Sequence, residues 1–275
     1  MPTALGLVNL HHCTRVPRQG LKPCQRLIVS GNWQVFLDSI SNVHLTEGRR
    51  RILVPAEYRA NLSADWFVPD WWGINAEPVS AGGRGSAWFL HSPLGDAVLR
   101  QYRRGGFVAR LSESSYFFTG YEKSRSFAEF RLLQALRSRG LPVPEPLAAM
   151  VERVGLVRYK AWIILRRLAE SVPLPEASNV VEPELWSEVG RVLRRFHDAG
   201  LNHVDLNCDN ILVAPDGIYL IDFDRCELRE NASAAAGWKV ANINRLRRSV
   251  KKRCKSLDSK ARERVWRALL EGYRR

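Results

Sequence analysis

One stretch concentrates the groups that could do chemistry: LNHVDLNCDNILVAPDGIYLIDFDRCEL, residues 201–228. Two apolar runs, Ile211-Leu212-Val213 and Ile218-Tyr219-Leu220-Ile221, flank Pro215-Asp216-Gly217. There proline presets φ and glycine supplies a permissive corner. The spacing predicts a hairpin that sets two polar segments side by side, His203 to Asn210 and Asp222-Phe223-Asp224. It brings a carboxylate and a carboxamide near a second carboxylate. A surface hairpin with polar ends would share the turn. HxDLxxxNIL followed by a turn and a hydrophobic-hydrophobic-DFD is far harder to obtain by chance.

That spacing fits phosphoryl transfer. Asp205 is placed to accept the proton of a substrate hydroxyl. Asn210 and Asp222 are placed to hold Mg²⁺ bridging the phosphates of ATP. Mg²⁺ is a hard cation that takes oxygen ligands, and the attacking hydroxyl needs a nearby acceptor more than a strong base.

Around these residues the chain resembles the protein-kinase-like superfamily, in particular its bacterial lipopolysaccharide-kinase branch. The resemblance is carried by GGRGSAWF (82–89), VLRQYRRGG (98–106), SFAEFRLLQALRSRGLPVPEPLAA (126–149), HVDLNCDNILV, LIDFDR and WKVANINRLRRS (238–249), and covers roughly residues 75–255. It implies a two-lobed α+β fold with the active site in the cleft between lobes, and ATP and Mg²⁺ as cofactors. It also implies a lipid-linked sugar acceptor, the 4-hydroxyl of 3-deoxy-D-manno-octulosonic acid (Kdo) on a lipid A precursor, at the cytoplasmic face of the inner membrane. Spacing and charge do not reach that substrate. The catalytic loop alone leaves open a heptose, choline or aminoglycoside kinase of the same fold.

The elements that must position the loop can be read outward from it. Gly82-Gly83-Arg84-Gly85-Ser86 precedes two expected strands, SAWFL and AVLRQY. Glycines there let backbone N–H groups approach phosphates, so Gly83, Arg84 and Gly85 are candidate nucleotide contacts, although a tight turn would look the same. The resemblance puts Arg100 where the family carries a lysine, with Arg103 and Arg104 as alternatives. A guanidinium keeps the charge but cannot act as a compact point charge. Ser126-Phe-Ala-Glu129 has the form of a capping box opening a helix through Arg139. Glu129 is therefore either a local cap or the partner of Arg100. Ala161–Leu165 is an expected buried strand before a hinge at 166–168. Residues 182–199 form an expected amphipathic helix burying Leu185, Trp186, Val189, Val192, Leu193 and Phe196.

Two further departures from the family bear on substrate. Val204 stands where protein kinases place the arginine that receives an activation-loop phosphate. Asn207 stands where they place a lysine two residues after the catalytic aspartate. Only fifteen residues separate Asp222 from Trp238, so the chain has little room for a peptide-docking loop. A small or lipid-linked hydroxyl is the expected acceptor.

Composition bounds the partners. A chain of 275 residues, 45% hydrophobic, suffices for two lobes. Lys and Arg number 42 against 28 Asp and Glu, a net charge of +14, which favours anionic partners. Much of the excess lies in two expected C-terminal helices joined near Asp258. The first carries Arg245, Arg247, Arg248, Lys251, Lys252, Arg253 and Lys255, and is either a solvated face or a surface for an anionic membrane. Charge alone also fits a nucleic-acid-binding protein. Such a module has no reason to carry Asp205, Asn210 and Asp222, so no nucleic acid is expected. Five cysteines without CxxC spacing argue against a zinc site or disulfide framework, and Cys208 reads as a small filler. No apolar run is long enough to span a membrane, and the first residues lack a secretory pattern. The expected division is residues 1–80 as an extension packing on the first lobe, 81–167 as that lobe and 168–275 as the second. Residues 1–30 are expected to be loose, with His11-His12-Cys13 no metal site. Trp66, Phe67, Trp71 and Trp72 are expected to pack on the lobe that follows.

Overall fold

The computed structural model describes residues 41–79, 87–103, 115–229 and 236–275. Gly83, Arg84, Gly85 and Arg104, and the segment 1–30, lie outside the described residues. Among the described residues the first lobe is an antiparallel sheet of eight strands and one helix. The strands are β1 (Asn42–Glu47), β2 (Arg50–Pro55), β3 (Ala76–Pro78), β4 (Ala87–Ser92), β5 (Gly95–Gln101), β6 (Tyr116–Phe117), β7 (Pro146–Val154) and β8 (Arg158–Arg166). They are ordered β1-β2-β7-β8-β5-β4-β3, with β6 paired to β8. The helix, α1 (Arg125–Ser138), lies on β7 and β8.

Both faces of this sheet are covered, and the two-residue period of the strands sorts the apolar side chains between them. Leu53, Ala149, Val151, Ala161 and Ile163 point toward Phe127, Phe130, Leu133 and Leu136 of α1. Their neighbours Ile52, Val54, Ala148, Met150 and Ile164 point to the opposite face, beneath Trp66, Phe67 and Trp72. Residues 42–78 thus supply three strands of the lobe's own sheet as well as its outer cover. Trp72 donates its indole N–H to Trp66 O at 3.0 Å and meets Trp66 edge-on at 4.8 Å. Trp71 also stands edge-on to Trp72, but 54% of it stays exposed.

The expected β8 is longer than Ala161–Leu165. The strand β7 carries no visible alternation, because PLAAMV is buried on both sides and reads as one apolar run.

The second lobe is mainly helical. It contains α2 (Pro183–Asp198), α3 (Gly237–Arg253) and α4 (Ser259–Arg274), with short strands β9 (Val172–Pro173), β10 (Leu201–Asn202), β11 (Ile211–Ala214), β12 (Gly217–Leu220) and β13 (Glu227–Leu228). The expected hairpin is present: β11 pairs with β12 from Ile211↔Leu220 to Ala214↔Gly217, with Pro215-Asp216 as its loop. The six apolar residues expected on the inner face of α2 are all buried. Asp258 caps α4 by accepting from Ala261 N at 2.7 Å. One apolar cluster joins the inner face of the first lobe to Leu206, Phe223 and the α2 stripe, so the lobes share a core across the cleft.

Glycines let α2 and α4 touch backbone to backbone. A Cβ added at Gly190 would lie 2.1 Å from Leu269 O and 2.7 Å from Tyr273 N, and one at Gly272 would lie 2.0 Å from Ser187 O. Neither obstacle is a side chain that could swing aside. Gly190→Ala should therefore destabilise the protein by about 1–3 kcal/mol or more through overpacking. Gly237→Ala, where an added Cβ meets nothing within 4 Å, should be neutral or stabilising by up to ~1 kcal/mol. Denaturant midpoints distinguish the two, and equal shifts would refute the close helix contact.

Candidate active site

The loop between β10 and β11 is held by its own side chains. Asn207 Oδ1 accepts from Asp209 N at 2.9 Å and Asn210 N at 3.1 Å, capping a single turn at Cys208–Asn210. Asn207 Nδ2 and Asn210 Nδ2 both donate to the carbonyl of Asp205, at 3.1 and 3.0 Å. Two carboxamides thus fix the backbone that carries the Asp205 carboxylate. Asn207, notable in the sequence only for replacing a lysine, is the organising residue of the loop. An Asn just before a short turn is the signal that could have shown it.

His203 ties the two polar segments together. Its ring is buried against Phe223, with centroids 5.2 Å apart, and its Nε2 lies 3.1 Å from Ile221 O. Burial lowers its pKa, so the ring is neutral and donates from Nε2 to that carbonyl. Ile221 N in turn donates to Asn210 O at 3.1 Å. The residues expected to be juxtaposed, Asp205 with Asn210 on one segment and Asp222 on the other, are joined by these two links.

Asp222 has φ +62°, a left-handed conformation uncommon for a side chain other than glycine. One of its carboxylate oxygens accepts from Arg100 Nη1. The same guanidinium donates through Nη2 to Glu129 Oε1 and Oε2 at 2.6 and 2.5 Å. Tyr102 donates its hydroxyl to Glu129 as well, and Phe223 N reaches Glu129 Oε1 at 3.3 Å. Glu129 is 2% exposed. Burial pushes its pKa up, and Arg100 offsets only part of that rise. Burial also pushes Asp222 upward, but the charge and hydrogen bond of Arg100 outweigh it and leave the carboxyl below its usual range.

The capping-box reading of Ser126 and Glu129 is overturned. The helix begins at Arg125 with Ser124 before it, and Ser126 Oγ donates to Met150 O at 3.1 Å. Glu129 is turned inward by the helical period that also buries Phe127, Phe130 and Leu133. Of the two readings of this residue, the ion pair with Arg100 is the one present.

Two neighbours were not legible in the sequence. Tyr102 completes the set of donors on Glu129. Arg125 Nη2 lies 2.5 Å from Asp224 Oδ2, and its guanidinium stacks 4.7 Å over the Tyr116 ring, fastening the first turn of α1 to the Asp222–Asp224 segment. Arg103 lies at the surface and donates to Gln101 Oε1 at 3.5 Å.

The donor set suits a hard divalent cation. Asn210 spends its Nδ2 on Asp205 O, which leaves its amide oxygen able to serve as a ligand, and Asp222 offers a carboxyl whose pKa Arg100 holds down. Mg²⁺ is usually bound by one or two such groups together with substrate phosphates and water, not by an all-protein cage. Among the described residues no group of three or more His, Cys, Asp or Glu side chains forms such a cage. Asp205 differs from Asp222 in being about half exposed, with Arg245 Nη1 at 3.5 Å from its Oδ1.

Comparison with known proteins places the chain in a family. Residues 69–273 match the lipopolysaccharide kinase (Kdo/WaaP) family. The chain is 48% identical over 211 residues to a 3-deoxy-D-manno-octulosonic acid kinase of Xylella fastidiosa (strain M12), covering 75% of this chain and 83% of that protein. It is 47% identical over 201 residues to the kinase of the same name from Stenotrophomonas maltophilia (strain R551-3), covering 72% and 79%. Among solved structures, WaaP in complex with acyl carrier protein covers 88% of this chain and 82% of its own at 16% identity and a TM-score of 0.43. By the extent and identity of the sequence matches, this chain belongs to the lipopolysaccharide kinase (Kdo/WaaP) family.

Proposed function

We propose that this protein transfers the γ-phosphoryl group of ATP to a hydroxyl of 3-deoxy-D-manno-octulosonic acid carried on a lipid A precursor, at its 4-position. The observation that carries the phosphoryl-transfer reading is the placement of Asp205, Asn210 and Asp222 on two linked segments beneath the Arg100–Glu129 pair. The acceptor is supported by family membership and by the names of relatives at 46–48% identity.

Each residue has a role in this reading. Asp205 takes the proton of the attacking hydroxyl. Asn210 and Asp222 would hold Mg²⁺, which when bound would neutralise charge on the phosphates. Arg100 holds a phosphate through its forked guanidinium, with Glu129 fixing its direction. Nucleotide binding then exchanges the Arg100 contact on Asp222 for one on phosphate.

The same reading places the protein peripherally at the cytoplasmic face of the inner membrane. No helix among the described residues is long and apolar enough to cross a membrane. Arg247, Arg248, Lys251 and Lys252 of α3 are exposed. Arg247, Arg248 and Lys251 border a groove of about 600 Å³ floored by Val250 and Trp266. Each basic residue beside an anionic leaflet contributes roughly 1 kcal/mol, fading within a Debye length of about 8 Å at physiological salt.

Asp205→Asn should leave ATP binding nearly intact and lower turnover by about 10²–10⁴. Asp222→Asn should damage Mg²⁺-dependent ATP binding as well, because it removes a metal ligand. Near-normal turnover of Asp205→Asn with saturating acceptor would remove it from the reaction.

Arg100→Lys should raise the Michaelis constant for ATP, since an ammonium cannot span Glu129 and a second anion as the guanidinium does. Unchanged ATP kinetics in both Arg100→Lys and Arg100→Ala would shift the role to Arg103 or Arg104.

Replacing Arg247, Arg248, Lys251 and Lys252 together with Gln should release the protein from anionic vesicles at low salt. Co-sedimentation that is absent in the parent, or insensitive to salt, would sink the membrane placement.

A further inference from the structure

One face of α3 lies rung by rung along the catalytic loop. Asn242 accepts from His203 N at 3.1 Å and donates to Asn202 Oδ1 at 3.1 Å. Arg245 meets Asp205 at 3.5 Å. Ser249 Oγ accepts from Cys208 N at 2.9 Å, and Arg253 donates to both oxygens of Asp209 at 3.0 and 2.9 Å. Residues 242, 245, 249 and 253 follow the three- and four-residue spacing of a single helix face. Three of the rungs fix the helix against the loop. Arg245, 47% exposed, is no more exposed than Arg253 on Asp209; it differs in its partner, the Asp205 carboxylate, itself 51% exposed.

An exposed ion pair of that kind contributes only about 0–1 kcal/mol to stability. It does, however, occupy the group proposed to receive the acceptor's proton. Among the described residues Arg100 is committed to Glu129 and Asp222 on the phosphate side, Arg125 to Asp224 and Arg253 to Asp209. Arg247, two residues along α3, faces Glu263 at 3.6 Å and the Trp266 ring. Arg245 is therefore the α3 cation placed beside the reacting hydroxyl, and its planar fork matches a carboxylate in two parallel hydrogen bonds.

We propose that Arg245 is the specificity-determining residue that reads the carboxylate of an acid sugar. The inference rests on the acceptor reading above and deepens it. In the free protein Arg245 holds Asp205. When the acid sugar enters, its carboxylate takes the guanidinium and frees Asp205 to face the hydroxyl. The hydroxyl oxygen then bonds to Pγ, its proton passes to Asp205, and the Pγ–O bond to the leaving phosphate breaks with its electron pair departing on ADP. A sugar without the carboxylate leaves Arg245 on Asp205 and meets an occupied acceptor. The sugar hydroxyls and carboxylate share one small ring, so both fit within the reach of these adjacent side chains.

The test pairs two enzymes with two substrates: the parent and Arg245→Gln, on the detergent-solubilised lipid-linked Kdo acceptor and on the same acceptor with its carboxylate converted to a carboxamide. The parent should prefer the carboxylate by about 10- to 100-fold in kcat/KM, the range of a hydrogen bond between charged groups. Arg245→Gln should lose that factor on the carboxylate and treat the two substrates alike, while Arg245→Lys should recover part of the preference. A parent-like preference in Arg245→Gln would overturn the assignment, and so would an equal loss on both substrates, which marks a merely structural role. Failure of the parent to phosphorylate either substrate would overturn the Kdo reading itself, and this inference with it.

Discussion

The site depends on one buried charge. Glu129 sits on the core side of α1 with almost no exposure, and an unpaired carboxylate there would be driven to neutralise. Arg100 opposes this, and because a guanidinium is forked it also reaches Asp222. A single side chain on β5 thereby fixes α1 from the first lobe and the Asp222–Asp224 segment from the second. Breaking one arm would leave a buried acid without its partner, the costly way to disrupt an ion pair. The strained backbone at Asp222 is held by this arrangement and by the Glu129 contact to Phe223 N, so strain and pairing are parts of one device.

A lysine would have served one of these contacts well and the other poorly. The arginine that stands where protein kinases carry a lysine is thus matched to its surroundings, since Tyr102 lies under the guanidinium at 5.0 Å and shares its carboxylate. A second clamp works beside it: Arg125 joins the start of α1 to Asp224. Both clamps end on the three-residue DFD segment. Any movement of α1 must therefore be felt at Asp222, which couples the geometry of the first lobe to that of the Asp222–Asp224 segment.

Much of the second lobe was legible in the sequence because its signals are local. A proline-led turn between two apolar runs specified the β11–β12 hairpin, and a strongly amphipathic pattern placed α2 to within a residue at each end. The first lobe was less legible for physical reasons. Its strands β2 and β7 are buried on both faces, so the alternation that marks a strand is missing. Ser126 and Glu129 have capping-box spacing, yet the box is defeated by burial: Ser126 finds a carbonyl on β7 and Glu129 finds Arg100. The clamps of Tyr102 and Arg125 are contacts between elements distant in sequence, and no local pattern encodes them.

The helix α3 shows why composition alone misleads. Its basic residues read as one patch in the sequence, but the fold divides them among different tasks. Arg245 and Arg253 turn to the catalytic loop, where Asn242 and Ser249 from the same face bind its backbone. Arg247, Arg248 and Lys251 border the groove toward α4. The net charge of +14 is therefore not one undirected attraction for anions. Part of it holds the loop that carries Asp205, and part faces outward where a phosphate-bearing surface can meet it. Because both parts ride on one rigid helix, attachment at the outer face would orient the cleft toward whatever that surface carries. On the proposed lipid-anchored acceptor, coupling attachment to orientation would lower the entropic cost of bringing hydroxyl and phosphate together.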